Sequence, residues 1–170
     1  MKKLIAGVVL GAVTFTAGAV FTASKADDEV LRQARDRQQI EELMWRYARA
    51  LDTGSAEAYA ALYTVDGQFS AGGTATKGRD ALKKMIAGTP QPAGAQPAAP
   101  RPQLYHATAN HQLVFIDKDH ARIDAYHITV AAGSGRETPP RVAGVGRSID
   151  EFERVNGQWL IKSRNVAPTN

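Results

Sequence analysis

The sequence contains no cysteine at any of its 170 positions. Disulfides, thiolate catalysis and a cysteine zinc site are therefore excluded, and the fold must be stabilised by its own hydrophobic core. A metal site is not predicted, because the four histidines form no close helical pair and stand in no ligand motif with carboxylates. A serine hydrolase and a phosphate-binding loop are equally unsupported, since no Gly-x-Ser-x-Gly elbow and no glycine-rich strand-to-helix turn occurs. The sequence thus predicts neither a cofactor nor a metal, and it favours chemistry carried by ordinary side chains.

The N-terminal residues have the pattern of a secretory signal. Lys2 and Lys3 give a basic start, residues 4–21 form an apolar run rich in Gly, Ala and Val, and residues 24–26 include small side chains that a signal peptidase accepts. An uncleaved membrane anchor is the alternative, but the many Gly, Ala and Thr residues make the run weakly hydrophobic. We expect residues 1–26 to be a signal peptide that is cleaved after Ala26, with an earlier cut after Ala19 as the alternative. The protein would then be exported, periplasmic or secreted, without stable membrane insertion.

Removal of this segment would lower the net charge of the protein almost to zero. The whole chain has 21 Lys and Arg against 17 Asp and Glu, a formal net charge of +4. Lys2, Lys3 and Lys25 belong to the predicted signal, so 18 basic residues would face 17 acidic ones and the net charge would be +1. The basic composition is therefore poor evidence for a nucleic-acid partner, and no Lys/Arg cluster with interleaved aromatic residues occurs. The remaining 144 residues, 27–170, suit one domain.

Helical patterns come first along this domain. Residues 28–51 carry apolar side chains at helical spacing with charged ones on the other side, which predicts a long amphipathic helix. Gly54 would end this helix, and Ser55 could cap a shorter second one. A short strand is predicted around residues 68–70, and a third helix is predicted over residues 78–87.

The second half of the domain has the two-residue period of strands. Residues 113–116 and 121–127 are predicted to be strands on either side of a turn. Residues 141–155 and 158–166 are predicted to form a hairpin, because Asn156-Gly157 is a turn signal of the strongest type. Helices followed by a mainly antiparallel sheet predict an α+β domain. Helices packed on the concave side of a curved sheet would enclose a pocket within a cone.

A proline-rich segment separates the two halves. Residues 89–102 contain five of the chain's eight prolines, which fix φ and donate no amide hydrogen bond, so this stretch is predicted to be a loop. Two interpretations stay open for it, a mobile insertion and a lid over the mouth of the pocket. Residues 133–140 are predicted to be a second flexible connection.

Six groups of residues, spread over nearly the whole domain, carry a family resemblance. They are Ile40-Glu41-Glu42-Leu43 with Tyr47 and Asp52, Tyr63-Thr64-Val65-Asp66-Gly67, Gly78-Arg79-Asp80-Ala81-Leu82, Tyr105-His106-Ala107-Thr108-Ala109-Asn110, Asp150-Glu151-Phe152-Glu153-Arg154, and Gly157-Gln158-Trp159 with Arg164. In this order and spacing they resemble the SnoaL-like branch of the nuclear transport factor 2-like (ketosteroid-isomerase-like) superfamily. The resemblance implies a cone-shaped α+β barrel in which N-terminal helices pack on a curved, mainly antiparallel sheet. It also implies a homo-oligomer, either a trimer or a dimer.

Within that branch the sequence resembles scytalone dehydratase, bile-acid 7α-dehydratase and hexachlorocyclohexane dehydrochlorinase. These enzymes eliminate a small leaving group with a histidine base that is paired with an aspartate. The resemblance places Asp52 and His106 on that pair, and Tyr47 on the tyrosine that precedes the aspartate by five residues in the dehydratases. Arg164 falls where the dehydrochlorinase has its site arginine, and His127 falls where scytalone dehydratase has a second histidine.

The chemistry of these side chains suits such roles. A neutral imidazole at His106 can remove a proton near neutral pH and return it later. Asp52 can hold the ring in one tautomer and stabilise the imidazolium that forms. Tyr47 can donate its hydroxyl to a departing oxygen or an enolate, and Arg164 can polarise the same region. The catalytic candidates are therefore Tyr47, Asp52, His106 and Arg164.

Each catalytic candidate also has an ordinary structural interpretation. Asp52 could be a turn residue, Tyr47 a core aromatic, and His106 a partly buried, hydrogen-bonded residue. On a straight helix Tyr47 and Asp52 lie roughly 140° apart, so they converge only if the chain unwinds at Leu51 or the pocket encloses the helix end. Arg164 is out of phase with the apolar positions of a regular last strand, and a bulge there would turn it inward.

Two further residues are candidates for substrate binding. His127 is in phase with the apolar side of its strand, so we expect it to face inward. Asn110 is the second candidate, because it follows His106 in the same widely spaced set of polar residues, to which Trp159 also belongs. The other two histidines, His111 and His120, have the pattern of ordinary surface residues.

Three functions stay open at this point. The preferred hypothesis is a cofactor-independent lyase or isomerase, dehydratase-like, that uses an Asp–His dyad to abstract a proton from a small, mostly apolar or hydroxylated organic molecule. The alternative is a non-catalytic exported protein that binds a small ligand in the same cone. The third is an interaction module whose exposed sheet mediates oligomerisation. A nucleic-acid partner is predicted under none of them.

Overall fold

The computed structural model describes residues 24–88, 103–133 and 138–168. Their elements, in chain order, are α1 (Lys25–Thr53), α2 (Ala56–Ala61), β1 (Tyr63–Ala71), β2 (Thr74–Lys77), α3 (Arg79–Ala87), β3 (Leu104–Phe115), β4 (His120–Ala131), β5 (Arg141–Val155) and β6 (Gln158–Asn165). Helices therefore come before most of the strands, and the predicted α+β class is confirmed. Residues 1–23 of the predicted signal peptide and the predicted loop at 89–102 lie outside the described residues.

Helix α1 begins three residues earlier than its hydrophobic pattern predicted, because a capping box starts it. The Ser24 hydroxyl accepts a hydrogen bond from the Asp27 amide at 3.2 Å, and the Asp27 carboxylate accepts one from the Ser24 amide at 3.0 Å. Gly54 ends the helix, as predicted, in the left-handed conformation with φ of 67°. A signal cleavage after Ala26 would fall inside the first turn and would remove the capping serine.

The two shorter helices occur where the sequence predicted them, although α2 ends at Ala61, before Leu62 and Tyr63. Ser55 precedes α2, but its side chain makes no capping hydrogen bond, so only its predicted position is confirmed. Helix α3 matches the predicted range and buries Leu82, whereas Met85 stays 36% exposed. Among the helices that the structure describes, none combines the length and hydropathy that a membrane span requires.

The six described strands form one curved, open sheet in the order β2-β1-β6-β5-β4-β3. All neighbouring strands are antiparallel except β1 and β6, which run parallel. Strands β2 and β3 form the two edges, so the described sheet does not close into a full barrel. The N-terminal helices pack on this sheet, which confirms the predicted cone of helices on a mainly antiparallel sheet.

Strands β1 and β3 are longer than their sequence patterns predicted, and β2 was not predicted. The start of β1, at Tyr63, lies opposite Ile161 of β6, and the start of β3, at Leu104, lies opposite Ala131 of β4. These segments lack strict alternation of apolar and polar residues. Their partners in the sheet, more than their local pattern, therefore determine their conformation.

The core lies between the helices and the concave face of the sheet. Its largest fully buried apolar side chains among the described residues are Ile40, Leu43, Tyr59, Tyr63, Leu82, Ile123, Phe152 and Ile161. The predicted apolar face of α1 supplies the first two of them. Because these residues come from all three helices and from four strands, burying them holds both layers together.

A buried polar cluster ties the first half of α1 to the β5–β6 hairpin. Trp159 donates from Nε1 to Asp36 Oδ1 at 3.2 Å, and the Arg154 guanidinium lies 4.4 Å from the centre of the Trp159 ring. Burial alone would raise the pKa of the Asp36 carboxyl. Hydrogen bonds from Arg154 and Trp159 have the larger combined effect, so the pKa is lowered. Trp159 is therefore a packing residue of this cluster.

Candidate active site

Asp52 and His106 are hydrogen-bonded to each other where the end of α1 meets the start of β3. Asp52 Oδ1 lies 2.9 Å from His106 Nδ1 and accepts the His106 backbone amide at 3.0 Å. The Asp52 side chain is 6% exposed, and that of His106 is 28% exposed. Because a carboxylate only accepts hydrogen bonds, the tautomer of the neutral ring that fits this contact has its proton on Nδ1 and the lone pair on Nε2.

The local sequence explains how the Asp52 carboxylate is held at a helix C-terminus, a position unfavourable for an anion. Gly54 turns the chain away, and Gln103 donates from Nε2 to the Asp52 carbonyl oxygen at 3.2 Å. Arg49 Nη1 lies 3.8 Å from the second carboxylate oxygen of Asp52. The His106 amide and the Arg49 cation thus compensate for the helix dipole.

Beside this pair, the helices and the sheet line a concave cavity of about 270 Å³. Its polar lining comes from Tyr47, His106, Thr108, His127, Thr129 and Arg164, and its apolar lining includes Leu51, Tyr59, Phe69, Met85, Ile86 and Val166. Three of the four predicted catalytic residues and one of the two predicted substrate-binding residues therefore share one cavity. The fourth catalytic candidate, Asp52, reaches the cavity through the His106 ring.

Tyr47 lies on the cavity side of α1 without any unwinding of the helix at Leu51. Of the two arrangements that the sequence allowed, unwinding is not observed, because α1 stays helical to Thr53, and Asp52 reaches the cavity only through its hydrogen bond to His106. The Tyr47 ring packs 5.3 Å from the ring of Tyr59, whose hydroxyl is 2.8 Å from that of Tyr63. Burial raises the pKa of all three phenols, so each stays a neutral hydrogen-bond donor.

A bulge in β6 turns Arg164 into the cavity. Phe152 pairs with Ile161, but the preceding Glu151 pairs with Ser163, so β6 carries one additional residue, Lys162. The strand period predicted that Arg164 would face inward only if the last strand contained such a bulge. Arg164 is 3% exposed, and its guanidinium carbon lies 4.5 Å from the centre of the Tyr47 ring.

Asp150 is the buried partner that the sequence reasoning missed. It is fully buried on β5, contacts Arg164 Nη1 directly, and accepts the Ser148 hydroxyl at 3.3 Å. Burial raises the pKa of Asp150 to about 6, while the charge of Arg164 acts in the opposite direction. The sequence did contain one indication of this burial: Asp150 lies two residues from Ser148 and two from Phe152, so the three side chains share one face of a strand.

His127 faces inward, as its phase predicted, and lines the cavity. Its Nδ1 is buried and has no hydrogen-bond partner among the described residues. Burial and the neighbouring charge of Arg164 lower the pKa of His127, so it is neutral near neutral pH. Gly146 on β5 leaves room for the ring, since a Cβ at that position would lie 2.7 Å from His127 Cε1.

Asn110 does not join the cavity, and its predicted substrate contact has no support from its position. It is exposed, with φ of 48°, in the irregular stretch of β3 between Ala109 and Gln112. The shift in register there changes which side chains point inward, and the strand period alone could not reveal it.

The two remaining histidines lie at the surface, as predicted, and each has an acidic neighbour. His111 Nε2 lies 3.5 Å from Glu41, and His120 Nδ1 lies 2.9 Å from Asp117 in the turn before β4. Within the described part of the chain, no group of three or more potential ligands is placed to hold a metal ion.

A cone of helices on a curved sheet, with its cavity on the concave side, defines the class of nuclear transport factor 2-like domains. The chain belongs to the SnoaL-like domain family, whose model matches residues 32–165. The predicted family resemblance is thereby confirmed.

Solved structures of other proteins share this fold. A nuclear transport factor 2-like protein with a cystatin-like fold from Novosphingobium aromaticivorans is 24% identical, with a TM-score of 0.69 over 86% of this chain and 91% of that one. A protein from the same species, provisionally assigned as a scytalone dehydratase, is 25% identical, with a TM-score of 0.64 over 83% and 89%. A Catenulispora acidiphila protein in complex with S-DNPA is 21% identical, with a TM-score of 0.62 over 77% and 91%.

No curated protein matches the chain. The fold and the scytalone dehydratase assignment of one similar structure together suggest an isomerase- or dehydratase-type function.

Proposed function

We propose that the protein is a cofactor-independent lyase or isomerase, dehydratase-like, that acts on a small, mostly apolar or hydroxylated organic molecule. The observation that carries the proposal is the 2.9 Å contact between Asp52 Oδ1 and His106 Nδ1 at the edge of a cavity of about 270 Å³. This contact fixes the orientation of the His106 imidazole in the lining of the cavity, and proton abstraction from carbon gains from such a fixed geometry.

The reaction follows from the tautomer of His106. Nε2 takes a proton from a carbon next to a substrate carbonyl, and the C–H electron pair moves to form an enolate. In a dehydration the enolate collapses to a C=C bond as hydroxide leaves the β carbon, and the imidazolium returns its proton to make water. In an isomerisation the proton returns to another carbon. Asp52 stabilises the imidazolium in both cases.

Tyr47 and Arg164 would stabilise the oxygen on which negative charge develops. Both line the cavity, the phenol is neutral, and the guanidinium keeps its charge because Asp150 and the Tyr47 ring raise its pKa against the effect of burial. Donors that are fixed before the reaction stabilise such an oxyanion more than mobile water does. The neutral His127 could accept or donate a hydrogen bond to a substrate hydroxyl.

The test compares Asp52→Asn and His106→Ala with the wild type on a panel of cyclic β-hydroxyketones with one or two rings. Each substitution should lower kcat by roughly 10²–10⁴-fold, because the base or its orienting carboxylate is lost. Deuterium incorporation at the substrate α carbon in D₂O, followed by NMR, measures proton abstraction directly. Circular dichroism and ligand affinity should change little.

The chain offers a matched control for this experiment. His120 and Asp117 form a similar Nδ1–carboxylate pair at 2.9 Å, but on the surface and outside the cavity. Asp117→Asn and His120→Ala should therefore leave turnover unchanged. If the Asp52 and His106 variants weaken only ligand affinity, and no exchange at carbon occurs, the non-catalytic binding protein replaces the enzyme.

We also propose that the protein is exported, on the basis of the signal pattern in residues 1–26. Mass spectrometry of the intact protein from fractionated cells would give its mature N-terminus. A full-length chain that stays in the membrane fraction would favour the anchor instead.

A further inference from the structure

A second concave site also has His106 in its lining. This site, the α1–β3 groove, has a volume of about 330 Å³ and lies between α1 and the edge strand β3. Its own lining includes Met44, Trp45 and Ile123, with Glu41 and His111 as polar members. The proposed proton abstraction does not use these five residues.

The groove and the cavity are neighbours that share part of their walls. Ala48, His106, Ala107 and Thr108 line both of them. Two of these four are alanines, so the boundary between the two spaces consists of small side chains and the candidate base. The groove and the cavity are therefore adjacent along α1 and β3, and among the described residues His106 is the only large side chain that belongs to both linings.

The groove has the composition of a binding surface for an apolar group. Trp45 is 63% exposed on α1, although a tryptophan ring gains most from contact with other apolar atoms. Met44 lies next to it in the lining, and a methionine side chain adapts to irregular ligand shapes. Glu41 and His111 lie 3.5 Å apart and supply a polar pair.

We propose that the α1–β3 groove is a second substrate subsite, which binds an apolar tail while the reacting head of the same molecule lies in the cavity beside His106. The substrate class is thereby narrowed to elongated molecules with an oxygen-bearing ring at one end and an alkyl or aryl tail at the other. A tail held on one side of His106 and a head held on the other would keep the reacting carbon near Nε2. The inference depends on the proposed function only for the identity of the head.

The test uses phenol, 4-butylphenol and 4-octylphenol as probes, with affinities measured by calorimetry. Affinity should rise roughly threefold to fourfold for each methylene that the groove buries. The chain has two tryptophans, and Trp159 is only 3% exposed, so acrylamide quenching of fluorescence reports mainly on Trp45. Octylphenol should protect Trp45 from the quencher, whereas phenol should not.

Two variants assign the effect to the groove. Ala48→Leu should block the shared boundary and remove the dependence of affinity on chain length. Trp45→Ala, at an exposed position that tolerates substitution, should weaken octylphenol binding roughly tenfold while phenol affinity stays within a factor of two. Leu31→Ala is the control, because Leu31 is another apolar residue on α1, 56% exposed and absent from the lining of the groove.

Equal affinity for the three phenols, no binding by any of them, or a length dependence that survives in both groove variants would overturn the subsite. Failure of the proposed function has a different signature: either the wild type shows no exchange at carbon, or the Asp52→Asn and His106→Ala variants retain turnover, whatever the groove variants do. Binding of octylphenol with an unchanged quenching of Trp45 would place the tail elsewhere and also overturn the inference.

Discussion

Asp150 and Arg164 form a fully desolvated ion pair beside the cavity. They are 0% and 3% exposed, and the Tyr47 ring and the Ser148 hydroxyl add contacts to the guanidinium and the carboxylate respectively. Removing two charges from water is costly, and their attraction compensates only when their remaining polar atoms are also satisfied. Asp150 Oδ1 and Arg164 Nε have no hydrogen-bond partner among the described residues, so the compensation is incomplete. A role in the reaction within the cavity therefore explains this ion pair better than a contribution to the stability of the fold does.

A substitution at Gly146 tests whether the stability of the fold requires the space beside the His127 ring. In Gly146→Ala the new Cβ would lie 2.7 Å from His127 Cε1, so the ring or the strand must move. We expect the free energy of unfolding in urea to fall by about 1–3 kcal/mol. Gly144→Ala is the control, since its Cβ would meet only Thr129, at an ordinary 3.9 Å.

The double variant Gly146→Ala/His127→Ala identifies the cause. Removal of the imidazole should restore most of the stability lost in Gly146→Ala, which a double-mutant cycle measures as a coupling energy. Equal losses with and without the imidazole would show that His127 is not the obstacle.

At the scale of elements, the β5–β6 hairpin determines which side chains reach the cavity. Its two-residue turn sets the register, and the bulge at Lys162 then shifts the phase so that Arg164 faces Asp150. Without that additional residue, the phase of Trp159 and Ile161 would carry Arg164 to the outer face. The one additional residue in β6 therefore decides whether Arg164 lies in the cavity or on the surface.

Gly157 tests the turn of this hairpin. Asn156 and Gly157 have φ of 51° and 79°, and a Cβ on Gly157 would meet no atom within 4 Å. Gly157→Ala should therefore destabilise the protein by roughly 1–2 kcal/mol through backbone strain alone. Asn156→Gly, which keeps the left-handed turn accessible, should change the urea midpoint little. A neutral Gly157→Ala variant would argue against the left-handed turn.

For the molecule as a whole, Asp150 should couple stability to pH. Its pKa rises from 3.8 to about 6 on burial, so the folded state binds a proton more tightly than the unfolded state. The stability that this proton contributes is complete below about pH 4 and is lost as the pH rises through about 6.

Asp150→Asn isolates this contribution, because an amide resembles the protonated carboxyl in shape and does not titrate. Urea unfolding of both proteins between pH 4 and pH 7.5 should show that the wild type loses stability relative to the variant as pH rises through about 6. A constant difference across this range would mean that the pKa of Asp150 is not raised in the folded state.

The outer face of the sheet carries exposed apolar side chains that are relevant to oligomerisation. Tyr105, Tyr126, Val142 and Val145 are each at least half exposed on strands β3 to β5. Apolar side chains in this number suit a contact between copies of the chain, so the homo-oligomer stays a prediction. Analytical ultracentrifugation would measure it, and a monomer at every concentration would contradict it.

Much of the fold followed from local pattern. The span of α1, the third helix and the β5–β6 hairpin were predicted to within a few residues, because amphipathic periodicity, Gly54 and Asn156-Gly157 act through neighbouring residues. The first halves of β1 and β3 were missed, since distant strands determine them. For the site, family resemblance found Asp52 and His106, whereas Asp150 and the groove around Trp45 needed the folded chain.

The sequence by itself determined the absence of thiol chemistry, the order of helices and strands, and the residue types available for acid–base work, because each depends on composition or short-range spacing. Only the tertiary structure decided that Asp52 bonds to His106 across 54 positions of the chain, that Arg164 faces inward against Asp150, and that Asn110 does not line the cavity. These outcomes depend on strand register and on bulges. A shift of one residue reverses the side of the sheet to which a side chain points, and no local pattern records that shift.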